Sequence, residues 1–137
     1  MGITLNDLDA TKASAEAFEF EYINAAGEAT GIFFSVLGGE SEVVRAETSR
    51  LQNERRRKAA AREVAQKVGV GARKVEFEPF ESDVIYGRRL AAVRLVGWRG
   101  IDDPFTPEAA LYLCQNNDHI AAQITEQSNA MENFINL

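Results

Sequence analysis

Leu90-Ala91-Ala92-Val93-Arg94-Leu95-Val96 runs directly into Gly97-Trp98-Arg99-Gly100, and the reading of this stretch decides how the chain folds. Read as an apolar helix, it opens at Ser82 and ends at Trp98, the only tryptophan in the sequence. A single large aromatic at the end of such a helix plugs the junction where later helices fold back. Beyond the turn Ile101-Asp102-Asp103-Pro104, the next helix is announced at Thr106-Pro107-Glu108. Thr106 is a good N-cap, Pro107 suits the first helical position, and Glu108 faces the positive end of the helix dipole. Asn117-Asp118 offers a further cap, after which Ile120, Ile124, Met131 and Ile135 fall on one helical face. Leu90 to Phe134 therefore reads as a helical hairpin docked on the helix that ends at Trp98.

Working outward toward the N-terminus, the pattern changes from helical to alternating. Phe18, Phe20 and Tyr22 point one way and Glu19 and Glu21 the other, the signature of a half-buried strand. Asn24-Ala25-Ala26-Gly27-Glu28 makes a turn. Thr30 to Leu37 forms a second strand with Ile32, Phe34 and Val36 on one face and Phe33 and Leu37 on the other. Apolar residues on both faces imply a more covered strand than the first. Two strands alone are rarely stable in water, so this hairpin must pack on helices or pair with a further strand, here or in a partner. Residues 1–15 read as a flexible polar leader, 16–38 as the hairpin, 41–68 as a long basic helix capped by Ser41, and 82–137 as a helical module. Val75-Glu76-Phe77-Glu78 alternates briefly, as a short third strand would. The expected fold is α+β, one domain in which an N-terminal hairpin or small antiparallel sheet packs on a helical C-terminal half of about four helices.

The chain of 137 residues has a net charge of −6, and that figure hides an asymmetry. Arg45 to Lys74 holds ten basic residues against three acidic ones, a local balance of +7, and the remaining residues carry five bases and eighteen acids, a balance of −13. The helix 41–68 has a thin apolar stripe (Val43, Val44, Leu51, Val64, Val68), and Glu54-Arg55-Arg56-Arg57-Lys58 has nothing obvious to bury. An acidic body with one basic arm suggests an interaction surface more than a catalytic cleft. Arg55, Arg56, Arg57, Lys58 and Arg62 are candidate protein-binding residues. Nucleic-acid phosphates are the alternative, but the arm has no interleaved aromatics, so a solvated helix face fits better than a nucleic-acid site.

Enzymatic chemistry has little to stand on. Cys114 and His119, the only cysteine and the only histidine, are separated by a helix break, which does not place a thiolate and an imidazole together. Asp102-Asp103 before a proline reads as a turn rather than a cation site. No phosphate-binding glycine pattern occurs, and no cofactor or metal is expected. The N-terminus shows no basic region followed by an apolar one, and no apolar run approaches the roughly 20 residues of a membrane span. One cysteine fits a reducing compartment, so the expectation is a cytoplasmic, non-enzymatic protein without membrane contact.

Three stretches together resemble the tail assembly chaperones of long-tailed (siphovirus-type) bacteriophages and related prophages. They are Phe18–Ile23 with Gly27, Thr30-Gly31-Ile32 and Val36-Leu37-Gly38; Ser41-Glu42-Val43-Val44-Arg45 leading into the basic helix; and Val96-Gly97-Trp98-Arg99-Gly100 with Pro104 to Leu111 and the closing Asn133-Phe134. The turn between Gly100 and Pro104 is shorter than the acidic loop common in that family. The resemblance implies an assembly factor that binds the tape measure protein, keeps it soluble, recruits major tail tube protein and is absent from the finished virion, with self-association possible. Many such proteins exist in a short and a frameshifted long form, and an end close to Asn133-Phe134 suits the short one. Phe33 and Leu37, on the second face of the hairpin, are the candidate client-facing apolar residues, since Phe18, Phe20, Ile32 and Phe34 are better placed for the core. The readings next in order are a small phage or prophage nucleic-acid-binding regulator using the basic helix 45–74 and a head–tail joining protein.

Overall fold

The computed structural model describes residues 2–67 and 80–135. The fold is α+β, a three-stranded antiparallel sheet with four longer helices packed together. The order is α1 (Ala10–Ser14), β1 (Phe18–Ile23), β2 (Ala29–Val36), α2 (Glu42–Lys67), α3 (Phe80–Arg94), β3 (Leu95–Arg99), α4 (Pro107–Asn116) and α5 (Asp118–Asn129). Short 3-10 turns lie at Asn6–Leu8 and Met131–Asn133. The brief alternation at Val75–Glu78 lies outside the described residues.

The decisive stretch divides where the sequence reading kept it whole. The helix ends at Arg94, and Leu95-Val96-Gly97-Trp98-Arg99 is a strand on the free edge of β2. A short apolar run is helix or strand by periodicity alone, and here the neighbour decides. β2 has donors and acceptors on both edges. β1 satisfies one edge through Phe18↔Val36 and Phe20↔Phe34, and β3 satisfies the other through Phe34↔Trp98 and Val36↔Leu95. Arg94 assists the stop, because its Nη1 donates to the Leu90 carbonyl at 2.7 Å in the last turn, where intrahelical partners run out. Gly100 then reverses the chain with φ +87°, at a site where a Cβ would fall on the carbonyl oxygen of Gly31 and 3.1 Å from the Ile32 Cα.

Trp98 therefore sits in a strand and is half-buried, which corrects its expected place at the end of a helix. Its indole N–H donates to the Asp103 carbonyl at 2.9 Å, and its ring meets Phe105 edge-on at 5.0 Å. Phe20, Phe34 and Val36 of the sheet meet Ala91, Leu95, Ala110, Cys114, Ile120 and Ile124 in one core. Phe34 has no exposed surface, and removing such a side chain from water contributes roughly 1.5–3 kcal/mol.

The caps follow the sequence closely. Ser41 Oγ accepts from the Val44 N–H at 3.2 Å, and Thr106 Oγ1 accepts from the Ala109 N–H at 3.0 Å with Pro107 behind it. Asn117 turns the other way, its side-chain amide donating to the Leu113 carbonyl at 2.9 Å and closing α4 rather than opening α5. α5 stops at Asn129, so Met131 and Ile135 do not continue the stripe of Ile120 and Ile124. Ser128 is the reason: its Oγ donates to the Leu37 carbonyl at 2.7 Å, and its own carbonyl accepts from the Gly39 N–H at 2.9 Å. Asn133 then donates to the Gln127 carbonyl at 2.9 Å, satisfying one of the carbonyls left open at the helix end.

The leader is ordered into the 3-10 turn and α1. Asp9 caps α1 by accepting from the Lys12 N–H at 2.9 Å. Ser14 is buried, and its carbonyl accepts from the Gly38 N–H at 2.9 Å. A Cβ on Gly38 would lie 2.5 Å from the Ser14 Cβ and 3.0 Å from its Cα. Gly38→Ala should therefore displace α1 and cost about 1–3 kcal/mol, as overpacking does. Gly87→Ala makes the control: a Cβ there meets nothing within 4 Å, and an alanine inside α3 should add roughly 0.5–1 kcal/mol. Urea unfolding of both variants checks the pair, and equal midpoints would refute the close approach at Gly38.

Candidate functional site

The basic helix is less uniform than its sequence suggests. Arg55 is not idle: its guanidinium stacks over the Tyr86 ring at 4.4 Å and is ion-paired with Asp83, so it docks α2 on α3. This corrects the expectation that the basic run has nothing to bury. Lys58 reaches Glu54 at 3.3 Å, and Arg89 of α3 reaches the same carboxylate at 3.4 Å. Arg56 and Arg57 are exposed, and among the described residues neither makes an ion pair. The side chain of Arg62 lies outside the described residues. The run thus divides into residues that hold α2 to α3 and residues that face solvent.

Phe33 and Leu37 are not brought together. Phe33 lies on the sheet face opposite the core, under the Arg99 guanidinium at 3.8 Å. Arg99 is also paired with Glu19 at 2.9 Å, so this small outer face is held by a cross-strand cation–carboxylate–ring cluster. Leu37 is half-buried beside α1 and the start of α2, in a shallow depression with Thr11, Lys12, Ala15 and Val43.

The sheet edges are guarded. The Gln123 side-chain amide bonds both the N–H and the carbonyl of Ile23, closing one end of the β1 edge, and the β1–β2 register shifts between Glu21 and Ile23. On the other side the β2–β3 register shifts between Ser35 and Val36, leaving Val96 as the extra residue of β3. Bulges and charges of this kind discourage pairing with a further strand.

What the sequence did not reveal is a groove between α2, the α3–β3 junction and α4. Its volume is about 430 Å³, and it is open to solvent. The floor and walls are Leu51, Ala92, Val93, Leu95, Val96, Phe105, Pro107 and Leu111, with Glu47, Arg50 and Arg89 at the rim. Each piece has a local reason. Leu51 is the one buried apolar residue in the middle of α2; Val96 is the bulged residue of β3, 40% exposed; Phe105 is set by Trp98; and Leu111 lies one turn beyond Pro107. The lining is drawn from residues 47 to 111, and no local motif could have assembled it.

The other chemistry-bearing groups are dispersed. Cys114 is fully buried in the core, and desolvation pushes its thiol up to about 11, far from a nucleophilic thiolate. His119 is exposed, with Nδ1 3.0 Å from the Tyr22 hydroxyl. Among the described residues no three His, Cys, Asp or Glu side chains converge on a metal position, and no helix is long and apolar enough to cross a membrane. No family model matches the chain, and no curated protein or solved structure matches it either.

Two predictions follow from the charges around α2 and the sheet. Arg55→Gln should destabilise the protein by about 1 kcal/mol by loosening α2 from α3, and Arg56→Gln and Arg57→Gln should leave the unfolding midpoint unchanged. Equal effects at all three positions would remove Arg55 from its docking role. Glu54 is held below the usual glutamate range, first by the hydrogen bond from Arg89 and then by that from Lys58. Glu19 is lowered first by its hydrogen bond from Arg99. A carboxylate depressed in the folded state stabilises fully above its unfolded pKa, and that contribution is lost as pH falls through the folded value. The melting temperature should decline between about pH 5 and pH 3, and the double variant Glu19→Gln, Glu54→Gln should flatten that decline.

Proposed function

We propose that this protein is a tail assembly chaperone of a long-tailed bacteriophage or prophage. In this reading it binds the tape measure protein in the host cytoplasm, keeps it soluble, recruits major tail tube protein and leaves before the virion is complete. The observation that carries the reading is the open apolar groove of about 430 Å³ with charges along its rim, on a chain whose reactive side chains are buried or scattered. Such a groove can cover part of an apolar client without turnover chemistry. The resemblance of the three stretches names the client, and the net charge of −6 suits a protein that must keep an apolar partner in solution. The action is stoichiometric, with many copies held along one long client.

The nucleic-acid reading is weaker. Arg55 is engaged within the protein by its stack on Tyr86 and its ion pair with Asp83, which takes it out of a phosphate-binding surface.

Co-expression decides between them. With the tape measure protein from the same gene cluster, the wild-type chain should hold the client in the soluble fraction and co-purify at more than one copy per client. A client that precipitates regardless of the amount of this protein overturns the reading. Tight, salt-sensitive retention on DNA by the unmodified protein would favour the regulator.

A further inference from the structure

Among the described residues four arginines are half-buried: Arg55, Arg88, Arg89 and Arg94. Three of them meet a carboxylate. Arg55 is paired with Asp83, Arg88 with Asp118 at 2.6 Å and Arg89 with Glu54 at 3.4 Å. Arg94 has no carboxylate partner among the described residues. A guanidinium carries five N–H donors, and the bond Arg94 makes is from Nη1 to the Leu90 carbonyl at 2.7 Å. Its Nε–H is sealed from solvent without an acceptor. Burial lowers the pKa of this side chain, because the cation loses hydration there and no anion replaces it.

Arg94 also lines a cavity. A space of about 550 Å³ lies where α5 packs on α3, with Val84, Leu90, Ala121, Ala122 and Thr125 among its walls. Arg88 and Asp118 line it as well, but they neutralise each other, and Arg88 Nη1 is spent on the Gln115 carbonyl at 2.8 Å. Glu126, exposed on α5, is a further lining residue and makes no ion pair among the described residues. The cavity shares no lining residue with the groove between α2 and α4.

Three features define what such a space takes. An unmatched cation asks for an anion, and a guanidinium fits the planar fork of a carboxylate best. Mostly aliphatic walls ask for hydrocarbon beside that head group. The acid at Glu126 disfavours a ligand with more than one negative charge, such as a phosphate monoester. We propose that the cavity between α3 and α5 binds an aliphatic monocarboxylate, with the carboxylate on the Arg94 guanidinium and the hydrocarbon along Val84, Leu90 and Ala122. The proposal stands apart from the reading of the protein as a chaperone, since it concerns a different surface and a small ligand.

Nuclear magnetic resonance of the full, ¹⁵N-labelled chain tests it with hexanoate and hexanol. Hexanoate should move the amide signals of Ala121, Ala122 and Thr125 and the Nε–H signal of Arg94, saturating at about millimolar concentration. Hexanol, without the charge, should bind about tenfold more weakly. Arg94→Gln should abolish that difference. Should this variant unfold, Ala122→Glu takes its place: it adds an acid to the cavity at an exposed position of α5 and should weaken hexanoate more than hexanol. Glu126→Gln should tighten hexanoate by about threefold with the melting temperature kept. The same head group ends a peptide chain, and N-acetyl-leucine separates the two sources: tighter binding than hexanoate assigns the site to a chain terminus, weaker binding to a free acid. Equal affinity for hexanoate and hexanol in the unmodified protein, or no shift with either, overturns the proposal. So does inorganic phosphate binding more tightly than hexanoate at the same residues, because the site is then one for anions in general. A lower melting temperature of Glu126→Gln overturns it too, because Glu126 is then the counterion of Arg94 in solution.

Discussion

Leu37, Gly38 and Gly39 hold the molecule together through their backbone. The Leu37 N–H donates to the Arg94 carbonyl at the end of α3, and its carbonyl accepts from Ser128 of α5. The Gly38 N–H donates to the Ser14 carbonyl of α1, and the Gly39 N–H to the Ser128 carbonyl. Three consecutive residues thus tie the end of β2 to α1, α3 and α5, and each bond satisfies a group that burial would otherwise leave unpaired. Their demand is steric as well as electronic: a side chain at Gly38 would occupy the space of Ser14. Once these bonds form, the direction of the chain out of β2 and into α2 is fixed.

The parts of the fold that were legible are those in which local chemistry and tertiary packing agree. The hairpin alternation at Phe18–Ile23, the caps at Ser41 and Thr106, and the proline at the start of α4 each needed no information from elsewhere in the chain. The boundary at Arg94 was different. Leu90–Val96 suits a helix to its end, and only the unpaired edge of β2 turns its last part into a strand. The end of α5 was hidden for a similar reason. Ser128 is an ordinary helical residue until its hydroxyl finds the Leu37 carbonyl, a partner 91 positions away in the sequence.

The site was less legible than the fold. Charge segregation was plain from the sequence, because net charge adds up without reference to structure. Which bases remain in solvent was not. Arg55 and Arg56 are neighbours of identical chemistry, yet one stacks on Tyr86 and the other projects outward, a difference set by the 100° that separates them around α2. The apolar groove was invisible for a stronger reason: Leu51, Val93, Val96 and Leu111 each read as ordinary core candidates, and only the way four elements meet leaves Val93, Val96 and Leu111 incompletely covered beside the buried Leu51.

That incomplete cover is itself informative. Small domains expose apolar surface as a matter of course, and one exposed valine needs no explanation. Here, however, the uncovered residues are contiguous, and the elements around them are well tied down. Arg55 and Glu54 hold α2 to α3, and the Trp98–Phe105 contact holds the loop before α4. A groove left open by loose packing would collapse, since the surrounding helices would gain buried area by moving together. Here α2 is already tied to α3, and Phe105 to Trp98, so moving either wall would strain contacts that are made. Rigidity of that kind lowers the ordering cost of binding in general, since a preformed surface needs no rearrangement.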